Sequence, residues 1–337
     1  MKKCAVLTVS LDLELIWGVR DHVGPGHPYL KWLQGVRPAV RALLTLFAAA
    51  RVPACWAAVG HLFYEEYRGE LGRKHPEMPR PTRPAGAPDW YADLPLGDTR
   101  SAPLWYGADL IEQIAGCPVA QEIGGHTFSH LAATDPGVTR ELFAAELAKS
   151  NELAARRGLR LRSLVFPRNR VGHLDVLREH GYVAYRGPNS EWYWRLPGRK
   201  LQAAGRLASD LAALTPPVDL PVLKRQGVVE VPHSMFFAPF WGPARLVPAG
   251  ARVAQGIRGL ERAVRRGGVF HIYSHPHNFG QHTARLVDAL GAVLYHGARL
   301  RDRGDLCILP MGRIAELVLS GEIEHRVEGA LNHADRK

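Results

Sequence analysis

Cysteine is scarce in this chain: there are four in 337 residues, at Cys4, Cys55, Cys117 and Cys307, and no two form a C-x-x-C pair. That spacing argues against a zinc ribbon and against a dense disulfide framework. Cys4, Cys55 and Cys307 fall in apolar strand-like runs, where free thiols behave as small hydrophobes. A reducing, cytoplasmic setting is the expectation. Long apolar runs are missing too, and no stretch reaches the roughly 18 residues of a membrane-spanning helix. The opening MKKCAVLTVSLDLELIWG begins like a secretory leader, yet Asp12 and Glu14 interrupt it and no small-residue cleavage site follows cleanly. It reads as a first strand.

Acidic residues are outnumbered, 32 Asp plus Glu against 43 Lys plus Arg, for a formal net charge of +11. Such a surplus draws anionic partners: nucleic acid, phospholipid headgroups or a phosphorylated substrate. The arginines are scattered, however, and the chain lacks both a basic tail and a stacked-aromatic RNA motif. No nucleic-acid partner is expected, a peripheral membrane contact stays open, and the oligomeric state is not readable. Hydrophobic residues at 46% and charged residues at 22% are ordinary globular values.

What the chain does have is alternation. AVLTVSLDL (5–13), PACWAAVG (53–60), PVAQEIGG (118–125), LRSLVFP, YVAYRG, GVVEVP, GVFHIYSHP and LCILP read as strands. Between them lie helical patterns, such as VRPAVRALLTLFAAARV with Val40, Leu43, Leu44 and Phe47 at helical spacing. Repeated βα units predict an α/β fold, a distorted (β/α) barrel of about seven parallel strands, with an open doubly wound sheet fitting almost as well. Residues 1–320 are expected to form a single catalytic domain with insertions near 69–106 and 189–225, and 321–337 to form a polar tail that frays.

In parallel α/β folds, ligands gather at the carboxyl ends of the strands. Asp12 and Glu14 end the first strand, His126 and His130 follow the third, Arg168 and Asn169 the fourth, and His275, His277 and Asn278 a late one. HTFSH puts two imidazoles at i and i+4, one face of a helical turn. A carboxylate from another strand would complete a two-histidine, one-carboxylate cation site with open positions. Alone, such a pair among 16 histidines is more often a capping or surface pair, and the Gly-Gly before it and the acids of strand one turn the reading to metal. Asp12 and Glu14 alternate on a strand and share a side; a cation would relieve their repulsion, one acid ligating it while the other stays free as a base. The bland alternative is an acid pair holding Arg20 or capping a helix. Trp90, Tyr91, Trp105, Tyr106, Trp192, Tyr193 and Trp194 crowd the insertions, as sugar-stacking platforms or as loop anchors.

These segments resemble the polysaccharide deacetylases, carbohydrate esterase family four, with their NodB-homology domain. The family's first motif, Thr-Phe-Asp-Asp-Gly, is similar to SLDLE here, although the acids are one residue further apart. The resemblance implies Asp12 as base and Glu14 as metal ligand, with the swapped assignment open. The second motif, His-(Ser/Thr)-x-x-His, matches HTFSH and implies His126 and His130 as ligands of one divalent ion, zinc by preference. The third, Arg-x-Pro-x-Gly, corresponds to VFPRNRVG, where Val165 stands at the arginine position; Arg168 or Arg170 is then expected to orient the base. The histidine of the fifth motif corresponds to His275 as acid, with His277 as second choice. Trp17, Asn169, His277 and Asn278 are the expected substrate contacts. The implied reaction is hydrolysis of an N-acyl group on an amino sugar or glycan precursor. Two rivals are a non-sugar amide, as in the allantoinase-like relatives, and a non-catalytic glycan-binding barrel.

Overall fold

The computed structural model describes residues 5–69, 73–188 and 191–329; Cys4, residues 70–72 and 189–190 inside the two expected insertions, and 330–337 lie outside the described residues. Strands are β1 (Ala5–Leu13), β2 (Cys55–Ala58), β3 (Glu66–Tyr67), β4 (Gly97–Asp98), β5 (Glu122–Gly125), β6 (Ser163–Leu164) and β7 (Ala184–Gly187). They continue with β8 (Val222–Leu223), β9 (Val229–Pro232), β10 (Met235–Phe236), β11 (Gly268–Ser274), β12 (Cys307–Ile308) and β13 (Arg326–Val327). The helices are α1 (Leu30–Gln34), α2 (Val36–Ala50), α3 (Ala108–Ala115), α4 (Arg140–Ala155), α5 (Leu174–Glu179), α6 (Arg199–Leu211), α7 (Ala249–Arg266), α8 (Thr283–Asp302) and α9 (Met311–Leu319).

β1 pairs with β11 on one edge and β2 on the other, and the ladder runs on through β5, β6 and β7 to β9, every pairing parallel. Pro232 has no N–H to donate and ends β9. Two residues later the Ser234 amide donates to the His271 carbonyl at 2.9 Å, and β10 pairs in parallel with β11. The run 229–236 therefore joins β7 with its first half and β11 with its second. The ring closes on seven strand positions, which decides for the barrel over the open sheet.

Period-two alternation sorts β1 into two faces. Leu7, Val9, Leu11 and Leu13 pack outward among Val40, Leu43 and Phe47 of α2, Leu260 of α7 and Val293 of α8. Val6 faces inward with Cys55, Val229 and Val269, where Met311, Ile314 and Val318 of α9 plug the amino-terminal end of the ring. Above that plug the inward column turns polar, through Thr8 and Ser10 to Asp12, all buried. A strand buried on both faces reads as one apolar run, so the polar residues inside it mark the axis of the barrel.

Two local expectations are corrected. The tail does not fray directly after Glu322: β13 pairs with β8, whose edge would otherwise leave backbone donors and acceptors unmet. Cys307 is exposed, not buried, because β12 is a two-residue strand against β1. Among the described residues no helix is long and apolar enough to cross a membrane.

Candidate metal centre

Asp12 emerges at the carboxyl end of β1, 3% exposed. Its carboxylate is gripped by both arms of Arg186: Nη1 donates to Oδ1 at 2.6 Å and Nη2 to Oδ2 at 2.7 Å. Burial would push the carboxyl up, but Arg186, aided by His275, more than offsets this and holds it at about 2. Arg186 also donates to Ser10 Oγ at 3.2 Å and Asn169 Oδ1 at 3.0 Å, and its guanidinium lies over the Tyr273 ring. The arginine that orients Asp12 is thus Arg186 of β7. Arg168, expected in that role, pairs instead with Asp21 on the exposed rim, and Arg170 pairs with Asp135. Arg168 and Asn169 both adopt left-handed backbone, φ 58° and 53°, and this turn aims Asn169 at Arg186 and Arg168 away. Asn169 is therefore a brace for the clamp. The available signal was an arginine inside a buried strand run, YVAYRG, one residue from its end.

Glu14 follows β1 directly, and its carboxylate lies against Gly18, where a methyl group would come within 2.1 Å of Oε1. Its Oε2 is 3.3 Å from His126 Nε2 and 3.2 Å from His130 Nε2. His126 Nδ1 is 2.7 Å from the Val165 carbonyl; a carbonyl only accepts, so Nδ1 carries the proton. In its metal-ligating form such a ring turns a lone pair from Nε2 toward a carboxylate oxygen. Two acceptors so placed need something electropositive between them, and the three side chains fit a divalent cation, with the second nitrogen of His126 fixed as metal-ligating histidines require. The histidines are not on a helical turn, contrary to the expected reading. HTFSH is a loop with Thr127 at φ 57° and His130 at φ 59°, tied down by Gly60 N and His61 N donating to the Thr127 and Phe128 carbonyls.

The other oxygen of Glu14 faces His275 Nε2 at 3.8 Å and His277 Nδ1 at 3.9 Å, so two histidine pairs share one carboxylate. One carboxylate does not balance two buried dications, and the nearer, oriented pair is His126 and His130. His275 Nε2 also lies 3.5 Å from Asp12 Oδ2, and Asn278 Nδ2 is 3.4 Å from His275 Nδ1 while donating to Ser274 Oγ at 3.2 Å. Asn278 thereby aims the acid candidate and is itself buried. His277, 4% exposed, stacks on His275 at 4.8 Å; burial first, then His275, lowers it to about 3. Neither His277 nor Asn278 presents an open surface to a substrate.

Beside His130 opens a cleft of about 340 Å³ lined by Trp17, Arg20, Asp21, Trp90, Asp93 and Arg168 among others. Trp17 is nearly buried, donating Nε1 to the Trp105 carbonyl at 3.1 Å. Trp90 donates to Ser129 Oγ at 2.8 Å, and Ser129 N and Oγ donate to Glu146 at 2.7 and 2.8 Å. Glu146, buried on α4 and raised to about 7 by that burial, thus supports the loop between the two histidines. Sequence reading missed it, since a glutamate on an amphipathic helix looks like a solvated one. Of the insertion aromatics, Tyr91, Tyr106 and Tyr193 are buried anchors, while Trp192 and Trp194 are about half exposed.

No family model matches the chain, and no curated protein does. Solved structures do. A protein of Mycobacterium smegmatis assigned as a polysaccharide deacetylase superposes at TM-score 0.61 with 15% identity, over 96% of this chain and 93% of that one. One of Pseudomonas aeruginosa PAO1 with the same assignment gives 0.52 and 12%, over 92% and 89%. Puue allantoinase gives 0.52 and 14%, over 93% and 90%. Likeness at such identities speaks for architecture alone, and by it the chain carries the NodB-type fold of the polysaccharide deacetylases.

Proposed function

We propose that this chain is a metal-dependent hydrolase that removes an N-acyl group, acetyl by preference, from an amino sugar or glycan precursor. The observation that carries the reading is Glu14 Oε2 set between His126 and His130, one side chain away from a carboxylate that Arg186 keeps ionised. A divalent cation held by Glu14, His126 and His130, zinc by its nitrogen-rich donor set, would polarise the acyl carbonyl and acidify the attacking water. Asp12 accepts the proton of that water as its oxygen bonds to the acyl carbon. His275 gives its Nε2 proton to the amine nitrogen as the C–N bond breaks, because an unprotonated amine is too basic to leave. Arg186 and Asn169 fix the base, Asn278 aims the acid, and the Trp90 side of the cleft offers a ring and fixed dipoles to a sugar.

The assignment of the two acids has a direct test. His126→Ala is expected to lose metal and acetate release together, whereas Asp12→Asn loses turnover by about 10²–10⁴-fold and keeps its metal. If Asp12→Asn empties the site instead, the two acids have exchanged roles. The same centre could open a non-sugar amide, so acetate release from N-acetyl sugars is measured beside ring opening of ureides and cyclic imides. Turnover of ureides alone would replace the sugar reading, and full activity in metal-stripped protein would end both.

A further inference from the structure

A second groove lies behind Phe236, on the His275 side of the centre. The Phe236 ring lies 5.9 Å from that of His275, and Phe236 is also the inner wall of a groove of about 550 Å³. Trp194, Ala203, Leu207, Pro239 and Trp241 make the walls apolar, Arg199 supplies charge, and Arg206 pairs with Asp210 at 3.8 Å. One wall is α6. Its buried residues are Gly205 and Ser209, its groove side carries Arg199, Gln202, Arg206 and Asp210, and its remaining face carries Leu201, Ala204, Ala208 and Leu211, all exposed and at helical spacing.

That stripe continues into neighbours that are just as unusual. Trp192, Trp194, Leu201, Leu211, Trp241 and Leu246 are each between 43% and 61% exposed. Around them Arg195, Arg199, Lys200 and Arg245 are exposed and, among the described residues, make no ion pair within 4.0 Å. Other surface arginines do find carboxylates, as Arg37 finds Asp109 and Arg140 finds Asp175 and Glu179. Exposed tryptophan and leucine beside unneutralised cations is the composition of a surface that lies in a membrane interface. Each such cation adds about 1 kcal/mol near anionic headgroups. A second copy of the chain suits the patch poorly, since a twofold contact is self-facing and would set these cations against each other.

We propose that the face formed by 192–211 and 241–246 docks on an anionic lipid surface, and that the groove beside it admits the apolar part of a lipid-borne sugar to the centre. The second half rests on the hydrolase reading; the docking does not. The test is flotation of the full chain with vesicles of phosphatidylglycerol and phosphatidylcholine, and with phosphatidylcholine alone, at low and high salt. Expected is binding to the anionic vesicles, weakened by salt, and roughly tenfold loss of binding in Leu201→Ser/Leu211→Ser or in Arg199→Glu/Lys200→Glu. The serine variant should release acetate from a short soluble N-acetyl sugar within about twofold of wild type. No vesicle binding, equal binding to both vesicle types, or a dimer in solution that the serine variant converts to monomers would each overturn the proposal. Acetate release without vesicle binding sinks the docking and leaves the hydrolase; vesicle binding without acetate release from any substrate does the reverse.

Discussion

Two clefts lie to either side of the candidate centre, one beside His130 and one behind Phe236, and they are made of different material. The one beside His130, about 340 Å³, is walled mostly by paired charge: Arg20 holds Asp93 at 2.9 Å, Arg80 behind it holds Asp89 at 2.8 Å, Arg168 holds Asp21, and Arg83 donates to the Pro88 carbonyl. The one behind Phe236, about 550 Å³, opens beside exposed tryptophans and, apart from Arg206 paired with Asp210 at 3.8 Å, beside cations without carboxylates. Paired charges around a ring make a rigid set of donors and acceptors, which suits a polyol of one shape. Unpaired charge around exposed apolar surface has no single shape to match and suits an interface. Each wall draws in part on a segment that interrupts the βα repeat, 83–93 in one and 194–210 in the other, while the residues between them sit on strands and strand ends. On the proposed hydrolase reading, recognition falls largely to the loops and chemistry to the ring.

The comparison can be broken first at its shared centre. Arg186→Met leaves Asp12 buried without a counter-ion, so unfolding free energy should fall by about 3–5 kcal/mol and turnover by about 10²–10⁴-fold, on soluble and lipid-borne substrates alike. Denaturant titration and acetate release measure both, and a loss confined to one substrate class would mean that the clefts do not share a base.

Glu146→Gln sharpens the polar side. The Glu146 carboxyl is raised to about 7 from 4.5, so the folded state keeps a proton that the unfolded chain releases at lower pH. Stability attributable to this group therefore falls as pH rises from 4.5 to about 7, by about 3 kcal/mol in total. The glutamine variant, which still offers an oxygen to Ser129, should lose that slope in urea titrations across the window. An unchanged slope would remove Glu146 from the account of the histidine loop.

Trp90→Ala removes a ring and the donor to Ser129. About 2 kcal/mol, or roughly 30-fold in kcat/KM on a soluble N-acetyl sugar, is expected, with vesicle binding untouched; an equal loss of vesicle binding would merge the two clefts into one surface. Arg168→Ala should matter least. Its pair with Asp21 is exposed, worth under about 1 kcal/mol, and kcat/KM should stay within about threefold. A larger drop would return to Arg168 the role that Arg186 now holds.

Much of the site was legible because its parts lie at ends of apolar runs. Asp12, Glu14, His126, His130 and His275 are polar interruptions that a buried strand tolerates only at the mouth of a barrel, and the structure brings all five together. Arg186 was not legible in the same way, because its partner is 174 positions away and no acid stands directly beside it in sequence. Glu146 was hidden by its helix, and HTFSH was misread as helical because spacing alone cannot reveal two left-handed residues. Asn278 and Asn169 were placed at the rim, but which neighbour each would serve depended on turns that local propensity does not specify.

By itself, then, the order of residues determined the βα alternation, the apolar faces and the rim on which the acids and histidines would stand, since these follow from periodicities of 2.0 and 3.6 written along the chain. Closure of the ring through 229–236, the choice of Arg186 over Arg168, and the separation of a polar cleft from an apolar groove were decided only by the tertiary fold. Each is a meeting of segments far apart in sequence, settled by which buried charge and which strand edge could find a partner.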